Sequence, residues 1–502
     1  MKVQEFLAHH GIGKNPFSEE DAQTDPVFKS HCIENTYHPA WDKIFGDPSE
    51  PATSIVFGEK GAGKTAMRLQ INSHVEAYNR KHGNSKLFVI NYDDFNSYLD
   101  RFVNNLPARR RRVDKALAAF RLWDHMDAIL SIGVTDLVDR ALGVAKHADA
   151  DVASRLAELD RHQKRDFLLL AAFYDQSTAE QMETRWQRLR RKLRFISPKA
   201  YVPFVAGCVV TVLAVVAFFS LMIGSMGEEA SPTIVDLYNG IPAWAYFAVV
   251  GGSWLAYVWK FGSRLLTAYG VVSSNRVGNA TTSGIRKVLM RLTSADLSGQ
   301  PIPNKDRTDD RYELVSKFQG ILESLGYSGV VVLVDRVDEP HRINGSPDLM
   351  KALIWPLLDN KFLKHQGIGV KLMLPAELKY FVEREDRDFA QRARLDKQNV
   401  VPSLAWTGEA LFDMANARLK ACAANGSPAS IRDMFEENIS REHLIDSFKS
   451  LRVPRHLHKF LYHLLVAHCN SHTDEAPDWK VSKELFESEL AMYRRDLESM
   501  AH

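Results

Sequence analysis

The segment from Tyr201 to Gly224 reads YVPFVAGCVVTVLAVVAFFSLMIG, and no charged residue occurs between Ala200 and Gly227. No other stretch restricts so strongly what this chain can fold into. A bilayer core about 30 Å thick requires roughly 20 apolar helical residues, and Val202 to Gly224 supplies that length. Each Val, Ile, Leu or Phe in it favours insertion by about 0.3–0.6 kcal/mol near the bilayer centre. In water, a helix apolar on every face would need burial on every face. Yet the chain around it has a soluble composition, with 25% of its 502 residues charged. The expectation is a membrane-crossing helix set inside an otherwise soluble protein.

A second stretch, LYNGIPAWAYFAVVGGSWLAYVW (237–259), carries aromatics near both ends, as interfacial belts do. Ala248, Gly252 and Ala256 fall four apart, a spacing that lets two helices approach closely in lipid. A hairpin of two spans, about 202–224 and 237–259, is expected. Basic residues crowd the entry, RWQRLRRKLRFISPK (185–199), and Lys260 and Arg264 follow the exit. The connecting GEEASPTIVD (227–236) is acidic. Lys/Arg excess marks the cytoplasmic side. A multi-pass protein of the inner or plasma membrane follows, with both termini and the large flanking regions cytoplasmic. The basic entry also suits contact with lipid headgroups.

Composition excludes several classes. A net charge of +2 argues against bulk nucleic-acid binding. Cys32, Cys208, Cys422 and Cys469 form no CxxC pair, so neither a disulfide framework nor a zinc site is implied. The start, MKVQEFLAHHGIGKNPFSEEDAQ, has no apolar core of a signal peptide.

The strongest chemical signal is TSIVFGEKGAGKT (53–65), an apolar run followed by G-x-x-x-x-G-K-[ST]. The spacing matches the phosphate-binding Walker A loop. Backbone amides from Gly58, Glu59, Lys60, Gly61, Ala62, Gly63 and Ala66 would wrap the phosphates. Lys64 would reach the β- and γ-phosphates and the Thr65 hydroxyl would bind Mg²⁺. The next residues, AMRLQINSHVEAYNRK, read as a helix with its N-terminus towards the phosphates. A second acidic strand is expected at GVVVLVDRVDE (329–339), with Asp335 at its carboxyl end holding Mg²⁺ and Asp338 or Glu339 polarising water. GIGVKLMLPAEL (367–378) reads as the next parallel strand. RYELVSKFQGILESLGY, with Leu314, Phe318, Ile321, Leu322 and Leu325 on one face, reads as a helix packing on the sheet.

The two motifs are far apart in sequence, and both apolar stretches lie between them. This arrangement resembles the KAP-type P-loop NTPases, related to AAA+ and STAND proteins, over roughly residues 50–470. Asp335 and Asp338 match that family's acidic run, while Arg336 replaces its second acid. The D-x-x-D-E ending is similar to the STAND signalling NTPases. The resemblance implies a helical lid, read here in LAWTGEALFDMANARLKAC (404–422) and RVPRHLHKFLYHLLVA (452–467). In such lids an arginine after a proline contacts the γ-phosphate, and Arg455 matches that position. Arg392 or Arg394 would act on a neighbouring copy as an arginine finger, which implies a homo-oligomer.

Other signals carry less. LSGQ (297–300) approaches the ABC signature but precedes a proline-containing polar loop. RRRR (109–112) suits a solvated face. FLLLAAFY (167–174) is too short to span a bilayer and suits a buried helix. His456, His458 and His463 read as lid-helix residues. The expected fold is α/β: a parallel-sheet P-loop NTPase core, a helical insertion carrying two transmembrane helices, and a C-terminal helical lid. The boundaries are an N-terminal lead-in 1–50, core 51–96, insertion 97–310, core 311–400 and lid 401–502. The expected activity is ATP hydrolysis with Mg²⁺, since no N-K-x-D guanine-recognition run occurs. The family resemblance implies a regulatory or signalling switch, with phage-exclusion proteins among bacterial relatives. The alternatives are an oligomeric machine remodelling a membrane-associated client, or a nucleotide-binding scaffold with little turnover. The partner or client protein is not specified.

Overall fold

The computed structural model describes residues 1–34, 36–144, 150–196, 202–226, 242–274, 282–297, 299–301, 303, 307–424 and 430–500. The chain forms two compact units. One combines Met1–His125 with Gly326–His502, and the other is Met126–Leu325.

The first unit is built on a parallel sheet. Its strands are β1 (Ser54–Gly58), β2 (Lys86–Tyr92), β3 (Tyr327–Val334), β4 (Ile368–Pro375) and β5 (Asn399–Val401), in the order β2-β3-β4-β1-β5. Every neighbouring pair is parallel. Continuous apolar runs such as Ile55-Val56-Phe57 and Val330 to Val334 are buried throughout, as in sheets covered on both faces. Val56, Val331, Leu333 and Met373 share one core with Met67 and Ile71 of helix Lys64–Lys81. Because all strands run the same way, the residues after β1 and after β3 emerge at one edge, where open α/β sheets bind ligands.

Helices Gly408–Ala421, Arg441–Lys449, Pro454–Ser471 and Lys483–Met500 share a second core, containing Leu411, Phe448, Leu457, Leu461 and Phe486. Thr407 caps the first of these, accepting from the Ala410 amide, and Pro454 opens the third, where a missing N–H costs nothing. The same core holds Phe6, Leu7, Ile12 and Phe17. Gly13 N–H donates to the Cys422 carbonyl at 2.8 Å, and the buried Arg418 and Asp25 side chains pair at 2.6 Å. Residues 1–50 are therefore not a separate lead-in. Their apolar residues are too scattered to show a period, and contacts distant in sequence order them.

The second unit is helical among its described residues. Phe167 to Tyr174, at the end of helix Arg161–Tyr174, are all buried, as their composition predicts. Asp127 accepts from Tyr174 Oη at 2.7 Å and pairs with Arg311 at 3.0 Å. Burial pushes the Asp127 carboxyl up, against the pull of Arg311. The unit boundaries differ from those drawn from sequence. Residues 97–125 belong with the sheet, held by Arg342 Nε on Asp100 (2.7 Å) and by His125 Nε2 on the Leu353 carbonyl (2.8 Å). Helix Thr308–Ser324, expected to belong to the core, falls in the helical unit. There Ser324 Oγ receives a hydrogen bond from Gln163 Nε2 at 2.6 Å.

Helices Val202–Met226 and Ala243–Ser274 lie side by side. Trp254 Nε1 donates to Thr211 Oγ1 at 3.0 Å, and the Phe204 ring lies 5.7 Å from both Trp254 and Tyr257. Among the described residues only one stretch, Val202–Ile223, is long and apolar enough to cross a membrane. Its outward side chains are apolar, with Leu213 62% and Ile223 66% exposed. The described part of the expected second span, 242–259, does not reach that standard; residues 237–241 lie outside the described residues. Trp, Tyr, Gly and Ser dilute its aliphatics, and Lys260 follows. The acidic connection 227–236 lies outside the described residues.

Candidate functional site

The loop between β1 and helix Lys64–Lys81 needs two left-handed residues, and both are glycine: Gly61 at φ +90° and Gly63 at φ +96°. Gly61 serves a further purpose. A Cβ there would meet Arg455 Cβ at 2.6 Å, so only glycine admits the lid helix this close. Trp406 Nε1 donates to the Ala62 carbonyl at 2.9 Å and steadies the loop. Lys64 folds back over the loop, its Nζ 2.7 Å from the Gly58 carbonyl and 3.1 Å from that of Glu59. Burial lowers the Lys64 ammonium from its ordinary value, opposed by the fields of Asp338, Asp335 and Glu377.

Asp335 follows β3 directly and is only 1% exposed. Its Oδ2 accepts from the Thr65 hydroxyl at 3.0 Å, joining residues far apart in sequence. Burial pushes the Asp335 carboxyl up, and the Arg68 guanidinium is the largest opposing influence. Arg68 Nε lies 3.3 Å from Asp335 Oδ2, while Arg68 Nη1 pairs with Asp93 just beyond β2. Thr65 and Asp335 form an oxygen pair suited to a small hard cation. Mg²⁺ uses few protein ligands and completes its shell with water and phosphate. Among the described residues no group of three or more His, Cys, Asp or Glu is arranged to hold a metal unaided.

A cleft of about 160 Å³ opens over the loop. Its walls include Lys60, Gly61, Gly63, Lys64, Thr65, Ala66, Asp335, Arg336, Asp338, Glu339 and Arg455. Asp338 is half-buried there. Glu339 is turned outward, 51% exposed and paired with Arg336 at 2.6 Å. Arg392 and Arg394 do not line the cleft. Arg392 lies over the Phe389 ring and Arg394 pairs with Asp396 at 3.5 Å. Three buried polar atoms from cleft-lining residues lack hydrogen-bond partners: Thr36 Oγ1, Arg455 Nε and His458 Nε2. Buried polar groups are rarely left so, and a polar ligand in the cleft would relieve them. His458 does lie on the lid helix, as expected, and burial holds its imidazole well below the ordinary value.

Sequence reasoning missed Arg68, Asp93, Trp406 and the whole N-terminal wall of the cleft, from Glu19 to His38. Arg68 stands one helical turn beyond Thr65, a spacing legible in advance. Asp93 and the N-terminal wall carried no such signal. No family model, curated protein or solved structure matches the chain.

Proposed function

We propose that this protein is a membrane-anchored P-loop ATPase of the KAP type, acting as a regulatory switch at the membrane. One observation carries the reading: the Thr65 hydroxyl and the Asp335 carboxylate meet at the mouth of a glycine loop, with Lys64 on its rim. Lys64 and the loop amides bind the β- and γ-phosphates and neutralise the charge that develops on them. To do so, Lys64 exchanges the Gly58 and Glu59 carbonyls for phosphate oxygens. Thr65 and Asp335 would hold Mg²⁺, which when bound would withdraw charge from the phosphates. Asp338 orients the attacking water, supported by its place inside the cleft while Glu339 is engaged with Arg336. Arg455, with its free Nε beside the loop, reaches the γ-phosphate. The apolar helix Val202–Met226 enters the bilayer and Ala243–Ser274 returns beside it, so the pair tethers the ATPase on the cytoplasmic side.

Lys64→Ala separates this reading from its rivals. The variant should fold normally, lose at least about tenfold in triphosphate affinity by titration, and show no turnover. Equal ATP affinity in variant and wild type would exclude a phosphate-binding role for the loop.

A further inference from the structure

Arg68 is held between two carboxylates, and no part of the proposed reaction uses it. Its side chain is 5% exposed, that of Asp335 2% and that of Asp93 24%. Its Nη1 is hydrogen-bonded to Asp93. Its Nε is 3.3 Å from Asp335 Oδ2 but has no hydrogen-bond partner. The oxygen that Arg68 faces also accepts from Thr65 Oγ1. The guanidinium therefore stands at the one carboxylate oxygen shared with the Thr65 hydroxyl. It hydrogen-bonds to Asp93, and its contact with Asp335 is electrostatic.

From this geometry we infer that Arg68 is a positioning residue, a built-in counter-ion that competes with the divalent cation at Asp335 and is drawn aside by Asp93. The inference rests on the nucleotide reading above. Two positive charges cannot share one carboxylate oxygen without repulsion, so cation entry requires Arg68 to give way. Asp93 is where it goes. A planar guanidinium, with several donors in a fixed fork, can keep its bond to Asp93 while releasing Asp335. Asp93 thus determines how readily the cation enters. It lies between β2 and helix Asn96–Asn105, so the chain leaving the sheet there is linked to the state of the site.

The test measures nucleotide binding to the detergent-solubilised full-length protein as a function of Mg²⁺ concentration, with Mg²⁺-free binding and thermal unfolding alongside. Arg68→Met removes the competitor, so half-saturation should need at least about fivefold less Mg²⁺, the low end of a coupling between sites. Asp93→Asn leaves Arg68 on Asp335, so half-saturation should need several-fold more. In the double variant the Asp93→Asn effect should vanish, because Asp93 acts through Arg68. Should Arg68→Met fail to fold, Arg68→Lys takes its place. A lysine keeps the charge but lacks the planar fork, and should shift half-saturation the same way by a smaller factor. Two single variants that shift in the same direction, or not at all, overturn the inference and leave Arg68 as a structural ion pair. An Asp93→Asn effect that persists in the double variant also overturns it, since Asp93 would then act by its own field. Wild-type protein that binds no nucleotide refutes the underlying reading instead.

Discussion

Single side chains decide the chemistry proposed for the cleft. Asp338 and Glu339 are adjacent in sequence and equivalent on paper, and both line the cleft, but Glu339 is largely exposed and paired with Arg336 while Asp338 is half-buried. Asp338→Asn should keep nucleotide binding and lose about 10²-fold or more of turnover, while Glu339→Gln should lose little, measured by phosphate release. Normal turnover in Asp338→Asn would reverse the assignment. A second residue governs acid stability. His125 is wholly buried, receives Tyr92 Oη at Nδ1 (3.1 Å) and gives its Nε2 proton to the Leu353 carbonyl (2.8 Å). Burial holds it down to about 4 from 6.5. Above pH 6.5 neither folded nor unfolded chain protonates it, and its stabilising contribution is complete. Between pH 6.5 and 4 the unfolded chain takes up the proton and the folded one does not. Stability should fall across that window by an amount on the order of 3 kcal/mol. His125→Gln should flatten the slope, seen in denaturant unfolding at a series of pH values. An unchanged slope would place the acid sensitivity elsewhere.

At the scale of elements, the glycine loop and the lid helix form a single device. Their junction is Gly61, with its positive φ and the Arg455 side chain where a Cβ would stand. Gly61→Ala should destabilise the protein by about 1–3 kcal/mol, because the left-handed conformation and the steric conflict both oppose a side chain. A thermal melt reads the loss, and a melt unchanged from wild type would show that the loop and lid are not in register as described. The loop was legible in the sequence because its turn needs left-handed residues, which Gly61 and Gly63 supply at a short fixed interval after an apolar strand. So was the acidic end of β3, since a buried apolar strand that ends in carboxylates is a local pattern. The order β2-β3-β4-β1-β5 was not legible, because strand neighbours are chosen by packing between segments far apart in the chain. For the same reason residues 1–50 showed no role. Asp25 becomes informative only when Arg418 is found 2.6 Å away.

For the molecule as a whole, the proposed reading makes the paired helices a tether separable from the parallel-sheet unit. The Phe204 contacts with Trp254 and Tyr257 hold the start of the first helix beside the middle of the second, so a short linker between the cut points can join them at small loop-closure cost. Replacing residues 198–262 by a Gly/Ser linker should yield protein that leaves the membrane fraction and still binds ATP. Persistence in the membrane fraction would reveal another anchor. Sequence by itself determined that one helix, Val202–Ile223, is apolar enough for lipid, since hydropathy and length are additive over neighbouring residues. It also placed Gly58 to Thr65 on one continuous glycine-rich stretch that joins a strand to a helix. Tertiary structure alone decided the rest: that Thr65 faces Asp335, that Glu339 and not Asp338 is paired with Arg336, that Arg68 is shared with Asp93, and that the N-terminus walls the site. Each of these is a relation between segments brought together only by burying a common core, and a geometry made by packing leaves no local pattern to read.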